Sequence, residues 1–280
     1  MNDFIVPWEG ELKAATLRTR PHRYRINVRL ENDRYAGVHC VNPGRGEGLM
    51  RKGARVWISR ATNRRRALKW TWEFARKGKA LVGTNSVTAN KPIDEALRRK
   101  YISGLKSARK IARERCCGRQ TRIDFEVTLW DHRKHYIEVK NCHLRYPDGN
   151  AYFPDSKTLR SRRHLWHLRR LVREGHEASL FIAIQRADVL ALRPSDFHDP
   201  KFAAALRRAA GCGVRVRAFS FEPTTQGFVF RKELPVDLAP YPLRTVRRWS
   251  AGQRRFSGWN HWNSPKDIRR PKLSRSPKPA

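Results

Sequence analysis

Between residues 11 and 77 apolar and polar positions alternate in short runs. ELKAATLRTR, YRINVRLE, YAGVHCV, ARVWISRA and LKWTWEFAR are set apart by Pro, Asn, Asp or Gly. Five strands at this spacing predict a small barrel or open sheet, and an oligonucleotide-binding (OB) barrel is one member of that set. In KWTWEF, Trp70, Trp72 and Phe74 fall on one face by the period of two. They are expected to fill the barrel core; exposed, they would form a base-stacking platform. The loop CVNPGRGEGLM, residues 40–50, carries Gly44, Gly46 and Gly48 around Arg45. Such a loop lets backbone approach a phosphate, with Arg45 adding charge, but an ordinary turn connection is the simpler expectation.

From residue 81 the period changes. KPIDEALRRKYIS predicts a helix with Pro92 near its start and Ile93, Leu97, Tyr101 and Ile102 on one side. Three strands follow, at about 109–116, 121–129 and 135–142. DSKTLRSRRHLWHLRRLVREG reads as a helix striped by Leu165, Leu168, Leu171 and Val172 and stopped at Gly175. Its other sides carry Arg160, Arg162, Arg163, Arg169, Arg170 and Arg173. ASLFIAI is apolar nearly throughout, as in a strand buried on both faces. A helix near 199–210 and the strand VRVRAFSF close the segment. The chain divides into a small barrel at 1–80, an α/β domain at 81–238 and a Pro-, Ser- and Arg-rich tail at 239–280, expected to be largely disordered.

Charge narrows the class of partner. Among 280 residues, 61 Lys and Arg face 25 Asp and Glu, a net charge of +36. Taking the tail's eleven bases and one acid from those totals leaves +26 on the rest, so the folded part is basic in its own right. Such a surface seeks a polyanion, and nucleic acid releases condensed counterions when Lys or Arg neutralises its phosphates. A ribosomal or nucleoid protein would show the same balance. The start, MNDFIVPWEG, has no basic n-region, and no run approaches the roughly 20 apolar residues of a membrane span. Five cysteines, Cys40, Cys116, Cys117, Cys142 and Cys212, contain no C-x-x-C pair. Neither a disulfide framework nor a structural zinc site is expected, and a reducing cytoplasm fits.

Candidate chemistry lies in TRIDFEVTLWDHRKHYIEVK, residues 121–140. Strand alternation sends Ile123, Phe125, Val127 and Leu129 one way and Arg122, Asp124, Glu126 and Thr128 the other. In the second run Ile137 and Val139 face the core, with Tyr136, Glu138 and Lys140 turned away. A turn centred on Asp131 sets Asp124 opposite Glu138. Two carboxylates whose Cβ atoms start about 4.5–5.5 Å apart repel, and a divalent cation between them lowers that cost. Mg²⁺ suits: it takes oxygen ligands, keeps several waters and uses one or two carboxylates plus substrate phosphate. The Val139 carbonyl could supply another oxygen. Lys140 could orient a water, help deprotonate it, or offset charge on the phosphate. A hairpin with one wet face also carries alternating charges, so the pattern alone leaves both readings open.

The pieces TRIDF (121–125), YIEVKNCHL (136–144), AYFPDSKTLRSRRHLWHL (151–168), NSVTAN (85–90) and HCVNPG (39–44) resemble the sugar fermentation stimulation protein (SfsA) family over roughly residues 12–235. The resemblance implies an N-terminal OB-like barrel and a C-terminal PD-(D/E)xK domain, a restriction-endonuclease-like αβββαβ arrangement. It places Asp124 and Glu138 as the metal-binding acids, with Mg²⁺ or Mn²⁺ as the cation, and Lys140 as the motif lysine. Glu114 is a candidate upstream acid, although ERCCGRQTR departs from the family's E-x-x-Y-G-x-S-R. NPGRGEG departs from its N-T-G-S/A-M loop. The family's association with DNA binding and sugar use implies DNA as partner, with RNA as the alternative. Arg122, Arg160, Arg162, Arg163, Arg169 and Arg45 are the candidate phosphate contacts. Three readings compete: a Mg²⁺-dependent nuclease, a non-enzymatic DNA-binding regulator, and RNA or ribosome association through the tail. Among the remaining polar residues, Asp155 is expected to cap the following helix rather than bind metal, His164 and His167 to be solvated helix residues rather than phosphate contacts, and Asn42, Asn85 and Asn90 to be turn residues first and ligands second.

Overall fold

In the computed structural model, which describes residues 4–63, 65–116 and 122–254, a short strand β1 (Ile5–Pro7) precedes the five expected ones. These are β2 (Leu12–His22), β3 (Arg25–Leu30), β4 (Tyr35–His39), β5 (Arg55–Arg60) and β6 (Trp70–Lys77). They pair in the order β4-β3-β2-β5-β6, and a parallel β4–β6 contact, Val38 with Trp70 and His39 with Thr71, closes the barrel. Leu17, Ile26, Val28, Val38, Val56, Ile58 and Trp72 fill it. β7 (Ala80–Gly83) extends the sheet beyond β6, past residue 80.

One aromatic expectation is corrected here. Trp57 pairs with Phe74 but Ile58 pairs with Trp72, so Glu73 is an inserted residue. That bulge reverses the alternation after it. Trp72 and Ala75 enter the barrel, while Phe74 turns outward and stacks on Trp57 and Trp8.

A 3₁₀ turn (Ser86–Ala89) leads into α1 (Asn90–Arg98). Then come β8 (Ala108–Cys116), β9 (Arg122–Leu129), β10 (Lys134–Cys142), β11 (Ala151–Phe153), α2 (Leu159–Arg173), β12 (Glu177–Ile184), β13 (Leu192–Pro194), α3 (Pro200–Gly211), β14 (Arg215–Pro223), β15 (Gly227–Leu234) and α4 (Arg244–Arg254). The second sheet runs β1-β15-β14-β12-β10-β9-β8, so β1 joins this sheet rather than the barrel. β10, β12 and β14 are parallel. α1 covers one face over Phe125, Val127, Ile137, Val139, Phe181 and Phe219. α2 and α3 cover the other, with Leu165, Leu168, Phe202 and Leu206 packed over Leu180 and Ile182. A parallel strand covered on both faces reads as an unbroken apolar run, which is the pattern of ASLFIAI.

The helix ends follow local chemistry. Thr158 caps α2 by accepting from Ser161 N–H at 3.2 Å. Asp199 caps α3 by accepting from Phe202 N–H at 3.0 Å, with Pro200 at the first helical position. Asp155 is therefore not the cap of α2. It faces the glycine loop of the barrel, where a β-carbon on Gly44 would collide with its carboxylate. His143 Nε2 lies 3.4 Å from Asp155, and Asn42 Nδ2 lies 3.2 Å from His143 Nδ1. The loop is thus an inter-domain joint. Arg45 lies in it, 3.3 Å from Glu47.

The tail expectation is also corrected over residues 244–254. α4 packs Val246 and Trp249 around Tyr146 and Tyr152, and Ser250 Oγ donates to Glu47 at 3.0 Å. Glu47 also meets His198 Nε2 at 3.0 Å. One carboxylate of the barrel loop therefore ties together barrel, α/β domain and α4. The rest of the tail, 255–280, lies outside the described residues. Cys40, Cys116, Cys142 and Cys212 are unpaired, and Cys117 lies outside the described residues. Among the described residues no helix is long and apolar enough to cross a membrane.

Candidate active site

β9 and β10 pair antiparallel with Lys134 opposite Thr128 and Ile137 opposite Phe125. Leu129 N–H donates to the Arg133 carbonyl, so the turn is centred on Asp131. Regular pairing ends at Phe125, and the next step is taken by a side chain. Val139 N–H donates to Asp124 Oδ2 at 2.7 Å. The strand leaves its regular pleat at this point. Phe125, Val127 and Leu129 pack under α1, but Ile123 packs with the α2-side core. The expectation that all four share one face holds for three. Across the sheet, Glu114 in β8 has φ of 52°, next to Arg113 and Arg115, which face Phe125 and Ile123. A left-handed residue opposite Asp124 bends the edge strand where the site begins.

The two acids occupy different electrostatic settings. Glu138 is 2% exposed. Burial pushes its carboxyl up, but the hydrogen bond from His164 and the Lys140 charge outweigh that and hold it below the usual range. His164 Nδ1 and Lys140 Nζ both lie against Glu138 Oε1. Arg160 Nε lies 3.5 Å from His164 Nε2, an arrangement that suits a proton on Nδ1 facing Glu138. His164 is therefore buried at the site, not solvated. Asp124 is pushed the other way: burial and the nearby Glu138 charge raise its carboxyl, more than Val139 N–H, Lys140 and Asn90 lower it. Asn90, the first residue of α1, donates from Nδ2 to Asp124 Oδ1 at 3.0 Å.

Among the described residues one atom in this cluster is left without a partner: Glu138 Oε2 is buried and makes no hydrogen bond. A buried anionic oxygen left bare is costly, and a hard divalent cation would satisfy it. Asp124 oxygens can accept further bonds, since each carboxylate oxygen has two lone pairs. The N–H and C=O of one strand residue project to the same side. The Val139 carbonyl thus faces the Asp124 side, beyond the last paired residue of β9. These oxygens form a donor set suited to Mg²⁺ or Mn²⁺. Among the described residues no group of three or more His, Cys, Asp or Glu gathers to hold a metal, so such a cation would keep waters or take substrate oxygens.

The arginine candidates do not form one cluster. Arg122 begins β9 beside Asp124, exposed and 3.6 Å from Glu114. Arg160 reaches His164. Arg163 is exposed on α2, while Arg162 and Arg169 line a groove against α3. Arg45 is engaged with Glu47 at the domain joint. Sequence reasoning underrates Asn90 and His164. His164 precedes Leu168 and Leu171 by four and seven residues, so it falls on the buried row of α2.

Two family models match the chain. That of the SfsA N-terminal OB domain covers residues 19–84, and that of the sugar fermentation stimulation protein RE domain covers 87–227. The sugar fermentation stimulation protein homolog of Thioalkalivibrio sulfidiphilus is 38% identical over 233 residues, 83% of this chain and 98% of that one. The Pseudomonas entomophila homolog is 36% identical over 233 residues, 82% of this chain and 98% of that one. The solved structure of Pyrococcus furiosus SfsA, in complex with Ca²⁺, matches with a TM-score of 0.76 at 22% identity, over 83% of this chain and 98% of that chain. The last likeness is one of fold: a closed barrel followed by the mixed α/β domain.

Proposed function

The chain belongs to the sugar fermentation stimulation protein family, and from that premise we propose that it is a divalent-cation-dependent nuclease acting on DNA, with RNA as the alternative substrate. The observation that carries this reading is the convergence of Asp124 and Glu138 at the end of the β9–β10 pairing, with Lys140 beside them and Glu138 Oε2 bare. That the Pyrococcus relative was solved with Ca²⁺, another oxygen-seeking cation, agrees with it. Asp124, Glu138 and the Val139 carbonyl would hold Mg²⁺ or Mn²⁺.

A bound cation of this kind supplies Lewis-acid polarisation of a phosphate and an acidified water. The chain's own residues do the rest. Val139 N–H and Asn90 fix both oxygens of Asp124, so its carboxylate cannot rotate away. His164 keeps Glu138 ionised despite burial and leaves Oε2 open. Lys140 Nζ, which lies against Glu138 Oε1, would give a hydrogen bond to a phosphate oxygen or orient the attacking water. Arg122 and Arg160, at the rim, would fix the strand by its phosphates without reading sequence.

The test is cleavage of labelled single- and double-stranded DNA and of RNA, with Mg²⁺, Mn²⁺ or EDTA. Cutting that needs the cation and is lost in Asp124→Ala, Glu138→Ala and Lys140→Ala supports the reading. Undiminished cutting by Asp124→Ala and Glu138→Ala removes it. Salt-dependent binding with no cutting under any condition would instead make the chain a DNA-binding regulator on a nuclease scaffold.

A further inference from the structure

Away from the carboxylates, α2 and α3 leave a groove of about 520 Å³ between them. Their inner sides are spent on the core, through Leu165 and Leu168 against Phe202 and Leu206. The groove above that contact is lined by Arg162, Trp166 and Arg169 from α2 and by Lys201 and Arg208 from α3. Among the described residues no carboxylate lines it. Each cation pair is seven residues apart on its helix, so both members share a face about 10 Å apart along the axis. Trp166 is 53% exposed between its two arginines.

The pairing state of these cations is informative. Nearby bases are tied down: Arg170 lies 3.2 Å from Glu174, and Arg207 lies 2.7 Å from Asp196. None of the four groove cations has a side-chain hydrogen bond or ion pair among the described residues, and Nε of both Arg162 and Arg169 is buried without a partner. Four like charges around one groove repel, and their unmet donors call for an anion that can reach several at once. A nucleic-acid strand carries a phosphate at every nucleotide, so one strand can meet both members of a cation pair at once. An acidic peptide would answer the charge but would leave the indole unused, whereas every base offers a face to stack on it.

The geometry points to the α2–α3 groove as a second binding surface, for a single strand of nucleic acid, with phosphates on Arg162, Arg169, Lys201 and Arg208 and a base on Trp166. This rests on the nuclease reading for the identity of the polymer but not on the cation or the carboxylates. It would hold a strand outside the cutting site and favour long substrates over short ones.

The experiment uses the full chain carrying Asp124→Asn, in EDTA, so that no cleavage enters. Binding of a labelled single strand of about 15 nucleotides is followed by anisotropy between about 50 and 200 mM salt. Adding Lys201→Glu and Arg208→Glu, both at exposed positions, should raise Kd at least tenfold. It should also flatten the log–log salt slope by about 1.4, or about 0.7 for each phosphate no longer neutralised. Trp166→Ala should weaken binding several-fold and leave the slope unchanged. Unchanged affinity and slope in the double charge reversal would overturn the assignment. So would a poly-aspartate peptide of equal charge binding as tightly as the oligonucleotide. Loss of cation-dependent cutting in a separate assay would bear on the carboxylates alone.

Discussion

Replacing Asp124 by Asn should leave the cation-free fold as stable or more stable, while removing the stabilisation that a cation gives the native chain. Burial and the Glu138 charge both raise the Asp124 carboxyl, so its ionised form is strained where it stands. Two unit charges about 5 Å apart interact by roughly 3 kcal/mol at an effective dielectric of 20. Attraction to Lys140 offsets part of this. The amide's single oxygen can accept from Val139 N–H or Asn90 but not serve both as the carboxylate does, a loss of about 1 kcal/mol. The balance is a gain on the order of 1 kcal/mol for the variant in EDTA. With cation at a hundred times its Kd, the native chain gains about 2.7 kcal/mol. For a chain of this size that is about 5–10 °C in Tm. Melting curves in EDTA and in Mn²⁺ read both numbers. Equal cation shifts in native and variant chains would refute the reasoning, as would a variant several kcal/mol less stable in EDTA.

Three further outcomes follow from particular contacts. His164→Ala removes the hydrogen bond that offsets the burial of Glu138, so that carboxyl should titrate higher, and the acid limb of cleavage against pH should move to higher pH. An unmoved limb would contradict the pairing. Lys77 is held down to about 8 by burial and then by the Arg186 charge. Its unfolded form binds more protons between pH 8 and its ordinary 10.5, so stability rises with pH across that window and the full penalty applies below it. Lys77→Met should therefore stabilise the chain by about 1–3 kcal/mol at pH 7, discounted for partial exposure, with the gain vanishing toward about pH 10.5 in urea titrations. A stop after Pro242 removes α4 with its buried Val246 and the Trp249–Tyr146 contact. It should lower stability by about 2–4 kcal/mol, read as a lower urea midpoint.

Much of this architecture is written in periodicity. The five barrel strands, the stripe of α2 and the unbroken run of β12 each declare their environment, because burial on one face or two leaves a distinct pattern. The hairpin register is legible from its polar turn, and with it the meeting of Asp124 and Glu138. What escapes the pattern has physical reasons. The bulge at Glu73 inserts one residue with no local signature, so simple alternation puts Phe74 on the wrong face. Ile123 changes sides where pairing with β10 stops, a tertiary event. Asp155 sits before a helix like a cap, but Thr158 holds that place and Asp155 meets the barrel loop instead. α4 has little apolar surface and gains its partners from Glu47, Tyr146 and Tyr152, far away in sequence. His164 reads as one more base on a basic helix; only its phase with Leu168 and Leu171 marks it as buried.

Anomalous diffraction from crystals of the native chain grown with Mn²⁺ would put the central assignment to the most direct test. The account predicts a peak within bonding distance of Asp124, Glu138 Oε2 and the Val139 carbonyl, and no peak there in Asp124→Asn crystals. Native crystals with Mn²⁺ bound elsewhere and none between these oxygens would contradict it.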